Sequence, residues 1–244
     1  MPRIEEKIFS IGEEKPEREL GEVLPSEETL FEAKKIFLFC EGKTEYYYFL
    51  DYKKDIRSSR VEIIPRYPDQ EKREGPDVKK LTEQVHNSFE EFVVTDSGFK
   101  RSIEVFEIDE FCVIFDFDRN FDVINGGKTN YDRALEMKRS KRIEFFLSNY
   151  SFEVWILCHF KKPDRRMKTT GLKKEILRCS GWSRYQKGQK DVYRELKERI
   201  EVAKKNAAKL FEEKENKGIP IYSDDSNPVT QIGKLIEKIE DQII

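Results

Sequence analysis

The feature that most constrains the fold is the stretch Lys34–Phe49. An apolar run, Ile36-Phe37-Leu38-Phe39-Cys40, stops abruptly at Glu41-Gly42, and a helical pattern starts at Lys43. Five consecutive apolar residues do not alternate with polar ones, so a strand there must be buried on both faces, as in the centre of a parallel sheet. Parallel strands require crossover connections, which makes α/β the expected fold class. Thr44 or a neighbouring polar group is expected to cap the helix, which is predicted over residues 43–56. Glu41 then stands at the carboxyl end of a central strand, where open parallel sheets hold their ligands. A carboxylate is costly to desolvate there without a cation, and Glu45, one helical turn on, is within reach of the same cation.

A second stretch repeats the pattern. Phe111-Cys112-Val113-Ile114-Phe115 runs into Asp116-Phe117-Asp118-Arg119-Asn120. Strand side chains alternate, so Asp116 and Asp118 project to the same side, where like charges repel unless a divalent cation relieves them. A third junction follows a strand predicted at 143–147: Ser148-Asn149-Tyr150-Ser151-Phe152-Glu153-Val154-Trp155. Glu153 falls in the first turn of an apolar helix, where it favours the helix dipole or completes a capping box with Tyr150 or Ser151 nearby. Strands are further expected at 61–65, with helices over 77–94, 131–140, 170–179 and 191–215, and a last one starting at Asn227-Pro228. The run Tyr46–Leu50 reads as core rather than as a base-stacking platform. His86 reads as structural or exposed. His159 reads as a phosphate or core contact rather than a general base.

Charged residues make up 39% of the chain against 37% hydrophobic, and the net charge is −2. That near-neutrality conceals an asymmetry. Residues 1–32 hold four Lys/Arg and ten Glu, an acidic arm, whereas residues 161–190 hold eleven Lys/Arg against Asp164 and Glu175. Such a basic face is where phosphates are held; its Lys161, Lys162, Arg165, Arg166 and Lys168, together with Arg119 outside it, are the candidate nucleic-acid contacts. No apolar run approaches the roughly 18 residues of a membrane span, and the N-terminus has no signal-peptide pattern. Cys40, Cys112, Cys158 and Cys179 lack CxxC spacing, and three of them lie inside apolar runs and read as buried free thiols, which points to a reducing cytoplasm. With two histidines in the chain, a His-rich zinc site is disfavoured, and oxygen ligands suit Mg²⁺ or Mn²⁺.

Hard carboxylates around Mg²⁺ are a common means of handling phosphodiesters. Lys187 is the candidate for stabilising the charge that builds up in the pentavalent transition state. The EGKTE segment at 41–45, the strand ending in Asp116–Asn120, and the segment Ser148–Trp155 together resemble the RloB-like family of the TOPRIM superfamily. The likeness extends to Tyr185-Gln186-Lys187 and Asn227-Pro228-Val229-Thr230, and so covers about residues 34–240. The resemblance implies a Rossmann-like TOPRIM core with a mostly parallel central sheet and a C-terminal helical extension. It divides the chain into the arm at 1–32, a catalytic core at 33–160, and a basic segment with helices at 161–244. It also implies Glu41, Asp116 and Asp118 as metal ligands and nuclease activity. By analogy with the related overcoming-lysogenization-defect nucleases, Glu153 and Lys187 fill the roles of a further acid and a lysine. A partner ATPase of the ABC/AAA type, in a phage-defence setting, is implied as well.

The expected function is thus Mg²⁺-dependent cleavage of DNA or RNA, with Glu41, Asp116 and Asp118 binding metal and Glu45 and Glu153 completing the shell or a second site. The alternative is a non-catalytic subunit that binds an ATPase or nucleic acid. Nucleotidyl transfer ranks last, because Asn125-Gly126-Gly127 lacks the spacing of a triphosphate-binding loop. The amphipathic C-terminal helix leaves both a monomer and a homo-oligomer open.

Overall fold

A computed structural model describes residues 33–243 apart from 57, 59, 68–75, 89–92, 95–99, 102–108, 124–126, 139–141, 180 and 183; the acidic arm assigned to residues 1–32 lies outside the described residues. In chain order the elements are β1 (Lys34–Cys40), α1 (Lys43–Asp55), β2 (Val61–Arg66), α2 (Val78–Ser88), β3 (Val93–Val94) and β4 (Lys100–Arg101). Next come β5 (Glu110–Asp116), α3 (Asn130–Met137), β6 (Ile143–Asn149), α4 (Glu153–Cys158) and α5 (Thr169–Leu177). The chain ends with α6 (Val192–Leu196), α7 (Ile200–Asn216), β7 (Val229–Thr230) and α8 (Ile232–Asp241). Among the described residues no helix is long and apolar enough to cross a membrane.

Five strands form one sheet in the order β2-β1-β5-β6-β7. Pairing is parallel throughout except at β7, which runs antiparallel to β6. This is an α/β fold with a mostly parallel sheet and a C-terminal helical extension, consistent with a TOPRIM-like Rossmann core. The chain builds outward from β1 to β2, then returns to place β5 on the other side of β1. The gap between the carboxyl ends of β1 and β5 is therefore a topological switch point, where loops diverge and leave a crevice.

Alternation along the unbroken apolar strands explains the two-layered core. Ile36, Leu38 and Cys40 of β1, with Cys112 and Ile114 of β5, face one hydrophobic cluster, which also takes in buried residues of α1, α4, α7 and α8. Phe37 and Phe39, with Phe111, Val113 and Phe115, face the opposite cluster, which α2 and α3 cover with Val78, Leu81, Val85 and Ala134. Phe37 and Phe111 stack across the strand pair at 5.1 Å. Each fully buried aromatic contributes about 1.5–3 kcal/mol of transfer free energy. Residues on both sides of position 160 share the first cluster, from Trp155 through Leu196 to Ile239.

Several expectations are corrected. The helix predicted over 77–94 ends at Ser88, and Val93–Val94 instead pairs with Lys100–Arg101 as a hairpin. The helix predicted over 191–215 is interrupted at Lys197–Arg199 by a 3₁₀ turn. Val229–Thr230 is a strand, so the last helix starts only at Ile232. No side chain caps α1; the Thr44 hydroxyl accepts from the Gly188 backbone N–H at 2.8 Å instead. Nor is there a capping box at α4, where Phe152 is the N-cap.

The histidines and thiols are placed as structural groups. His159 is buried between the Tyr48 hydroxyl and the Trp155 carbonyl, and burial lowers its pKa to about 4. His86 meets the Met137 carbonyl at 2.8 Å. Cys40, Cys112 and Cys158 are buried free thiols, and Cys179 is half-buried.

Candidate metal centre

Glu41 directly follows β1, and its backbone N–H still bonds to the Ile114 carbonyl, so the sheet fixes where its side chain starts. The carboxylate crosses to the end of β5. There Oε2 accepts from the Asp116 N–H at 3.0 Å and from the Asn120 amide at 2.8 Å, and Oε1 accepts from Arg119 at 3.1 Å. Burial pushes Glu41 up to about 7; the Asp116 N–H, Arg119 and Asn120 pull it back, while the nearby Asp118 adds to the rise.

Asp116 ends β5 and pairs in register with Ser148 of β6. Its Oδ1 accepts from the Phe152 N–H at 2.8 Å, which ties the second strand end to the start of α4. Its Oδ2 lies 3.8 Å from Lys187 Nζ. Burial, with the charge of Glu45 next, holds Asp116 well above the usual carboxylate range, against the pull of Lys187.

Glu153 and Glu45 complete the group. The Tyr185 hydroxyl donates to Glu153 Oε1 at 3.1 Å, but Glu153 Oε2 and Glu45 Oε2 are buried without a hydrogen-bond partner among the described residues. Burial pushes Glu45 to about 7, against the attraction of Lys187 and with repulsion from Glu153 and Glu41. Gly42 is what lets that carboxylate lie over the turn, since a Cβ at this position would stand 2.4 Å from Glu45 Oε2. Burial alone would lower the pKa of Lys187; Asp116, Glu153 and Glu45 outweigh it and raise it.

A cavity of about 230 Å³ opens over Glu41, Asp116 and Lys187, with Gly42, Lys43, Tyr67, Arg119 and Gly188 completing its lining. Three strand ends and a distant loop thus bring Glu41, Glu45, Asp116, Glu153 and Lys187 to one place. Asp118 arrives differently from expected. β5 ends at Asp116, so strand alternation does not reach Asp118, which sits half-buried in the following turn and accepts from the Arg119 N–H. Its charge is still felt at Glu41 and at Lys187.

The basic face carries acids of its own. Glu175 collects Lys161 at 2.6 Å, Arg165 at 3.1 Å and Arg178 at 2.9 Å. Lys162 pairs with Glu213, and Arg166 with Asp224 and Asp225, while Lys168 is exposed at the start of α5. Arg119 is engaged at Glu41.

Sequence reasoning missed two organisers. Asn120 is fully buried and holds Glu41, the Asp116 carbonyl and the Val78 N–H at once. Tyr185 holds Glu153. The only signal for Asn120 was its place in the turn after the second acidic strand end.

A family model described as RloB-like protein matches residues 36–239, from the first strand to the last helix. The chain belongs to the RloB-like family. Searches of curated proteins and of solved structures find no match. The matched span contains every group of the acidic cluster.

The fit of a metal to this cluster rests on its donors. Two buried carboxylate oxygens without partners among the described residues, and three carboxyls whose ionisation burial disfavours, are what a hard cation would relieve. The all-oxygen donor set suits Mg²⁺ or Mn²⁺ rather than Zn²⁺. Among the described residues, however, no three of His, Cys, Asp and Glu already stand together in metal-holding geometry. Lys187 and Arg119 supply the positive charge instead.

Proposed function

We propose that this chain is a divalent-cation-dependent nuclease that cleaves phosphodiester bonds in nucleic acid. The observation that carries the reading is the convergence of Glu41, Glu45, Asp116 and Glu153 around Lys187 at the switch point of the sheet. Asp116, Glu45 and Glu153 would hold Mg²⁺ or Mn²⁺, with Glu41 and Asp118 beside them. The bound cation supplies charge neutralisation at a phosphoryl oxygen and a more acidic water.

The protein's own groups then have distinct tasks. Lys187 keeps its proton firmly and offers it to a phosphate oxygen on which charge builds up. Asn120 and the Asp116 N–H fix the Glu41 carboxylate, and the Phe152 N–H fixes Asp116, so that the acids do not turn away when the pocket fills. Lys168 and the paired cations at 161–166 track the nucleic-acid backbone through charge, with salt-sensitive binding. Membership of the RloB-like family supports a partner ATPase and a role in phage defence as further parts of this reading.

A second reading, a non-catalytic subunit that binds an ATPase or nucleic acid, draws on the absence of three ligating side chains in metal-holding geometry among the described residues. Cleavage of plasmid, single-stranded DNA and total tRNA in Mg²⁺, Mn²⁺ or EDTA separates the two. The nuclease reading expects metal-dependent products that Asp116→Ala and Asp118→Ala abolish. It is overturned if those variants cut as well as the wild type.

A further inference from the structure

Next to the acidic pocket lies a group of tyrosines that the core accounts for only in part. The aromatic run of α1 divides in two. Tyr48 and Phe49 are fully buried, but Tyr46 and Tyr47 are half-buried, and so is Tyr67 just beyond β2. Tyr46 packs at the edge of the core, whereas Tyr47 and Tyr67 belong to neither hydrophobic cluster of the described residues. The three rings are neighbours, with centroids 6.0 Å apart for Tyr46–Tyr67 and 5.4 Å for Tyr46–Tyr47, tilted to one another. Tyr67 lines the pocket that holds Glu41, Asp116 and Lys187. Its hydroxyl feels the charges of Glu45 and Lys187.

Cations are interleaved with these rings. Lys190 Nζ stands 5.5 Å from the Tyr47 centroid, and Lys43 and Lys187 line the same pocket as Tyr67. Half-buried rings beside lysines, continuous with a site proposed for phosphodiester chemistry, match what unpaired nucleotides need: a π-face for each base and a positive charge for each phosphate. A duplex keeps its bases stacked inside and cannot offer their faces to tyrosines.

We propose that Tyr67, Tyr46 and Tyr47, with Lys190 and Lys43, form a stacking strip that binds unpaired nucleotides next to the acidic pocket. The substrate class is then single-stranded nucleic acid, or an unpaired stretch within a folded one. This deepens the nuclease reading and rests on it for the position of the scissile phosphate, but binding can be measured without cleavage.

The experiment is fluorescence anisotropy of the full chain in EDTA, with labelled oligothymidylate, oligouridylate and a blunt duplex as probes. The wild type should prefer the single strands to the duplex. Tyr67→Leu and Tyr47→Leu should each weaken single-strand binding about tenfold, the scale of losing one base–aromatic stack, and leave duplex binding unchanged. Tyr67→Phe, which keeps the ring, should bind as the wild type does, so a loss in Tyr67→Leu is not a folding defect. The two single-strand arms report whether DNA or RNA fits better. The strip is overturned if both leucine variants, shown folded by circular dichroism, bind single strands as the wild type does. It is also overturned if the wild type prefers duplex or binds no probe. If tyrosine-dependent binding holds but no metal restores cleavage, the strip stands and the nuclease reading falls. If cleavage requires Asp116 but the tyrosines are inert, the reverse holds.

Discussion

Asn120 donates its side-chain amide to Glu41 Oε2 at 2.8 Å, joining residues 79 positions apart in the chain. The same amide group reaches the Asp116 carbonyl, and its oxygen accepts from the Val78 N–H at the start of α2. One buried side chain thus fixes the Glu41 carboxylate, the end of β5 and the first turn of a helix. Truncation as Asn120→Ala removes a bond to a carboxylate and leaves a buried N–H unsatisfied. The expected cost is roughly 2–4 kcal/mol of folding stability, together with loss of nuclease activity. Urea denaturation checks this: an unchanged midpoint would mean that the contact does not organise the site.

Glu45 predicts a trade between stability and activity. Burial raises its pKa from 4.5 in the unfolded chain to about 7 in the fold. Between those values the folded chain holds a proton that the unfolded chain has released. Glu45 therefore costs stability progressively as pH rises from about 4.5 to 7, and the cost is constant above. Glu45→Gln removes the charge at nearly the same volume. It should raise the melting temperature of the metal-free protein at pH 8, with the gain vanishing toward pH 4.5, and should abolish metal-dependent cleavage. Thermal scans in EDTA across this range test the sign. A variant less stable than wild type at pH 8 would show that Lys187 needs the Glu45 charge more than burial opposes it.

His159 acts in the opposite sense. Its pKa is lowered from 6.5 to about 4 because the ring is buried between Tyr48 and Trp155. Between pH 6.5 and 4 the unfolded chain binds a proton that the folded chain refuses, so stability falls as pH falls through this window, by up to about 3 kcal/mol. Glu41 and Glu45 gain stability over part of the same range, so the wild-type profile is a sum of opposed effects. The difference between wild type and His159→Gln isolates the histidine, and it should shrink on acidification. A difference that does not move with pH would place a charge-bearing imidazole in the fold.

How much of this could be read beforehand depends on how local each cause is. Ile36–Cys40 and Phe111–Phe115 announce central strands because burial on both faces leaves no polar residue to interrupt them, and the acids at their ends come with them. β7 is two residues long, too short for any periodicity, and exists because Val229 and Thr230 find the edge of β6. The break at Lys197–Arg199 falls inside an otherwise helical apolar pattern, which carries no mark of it. Asp118 lies beyond the strand alternation, which stops two residues earlier. Asn120, Tyr185 and the Thr44–Gly188 bond act across long stretches of chain, and nothing in their immediate sequence reports a partner on another element.

Gly42 offers the sharpest separation of site from scaffold. Its φ of −119° is open to any residue, so no backbone strain arises on substitution. What forbids a side chain is the Glu45 carboxylate, whose Oε2 would lie 2.4 Å and Oε1 2.9 Å from an added Cβ. That carboxylate is the far end of a flexible side chain, so in Gly42→Ala it turns aside while the fold stays intact. The stability loss should be confined to the helix cap, about 0.5–1 kcal/mol. Metal-dependent cleavage should fall about 10- to 100-fold, the scale of displacing a site group by an ångström or so. Melting temperature and cleavage rate measured on the same preparation decide it. A variant that melts far below the wild type would mean that the turn cannot relax around the methyl group. One that cleaves normally would mean that Glu45 has no part in the chemistry.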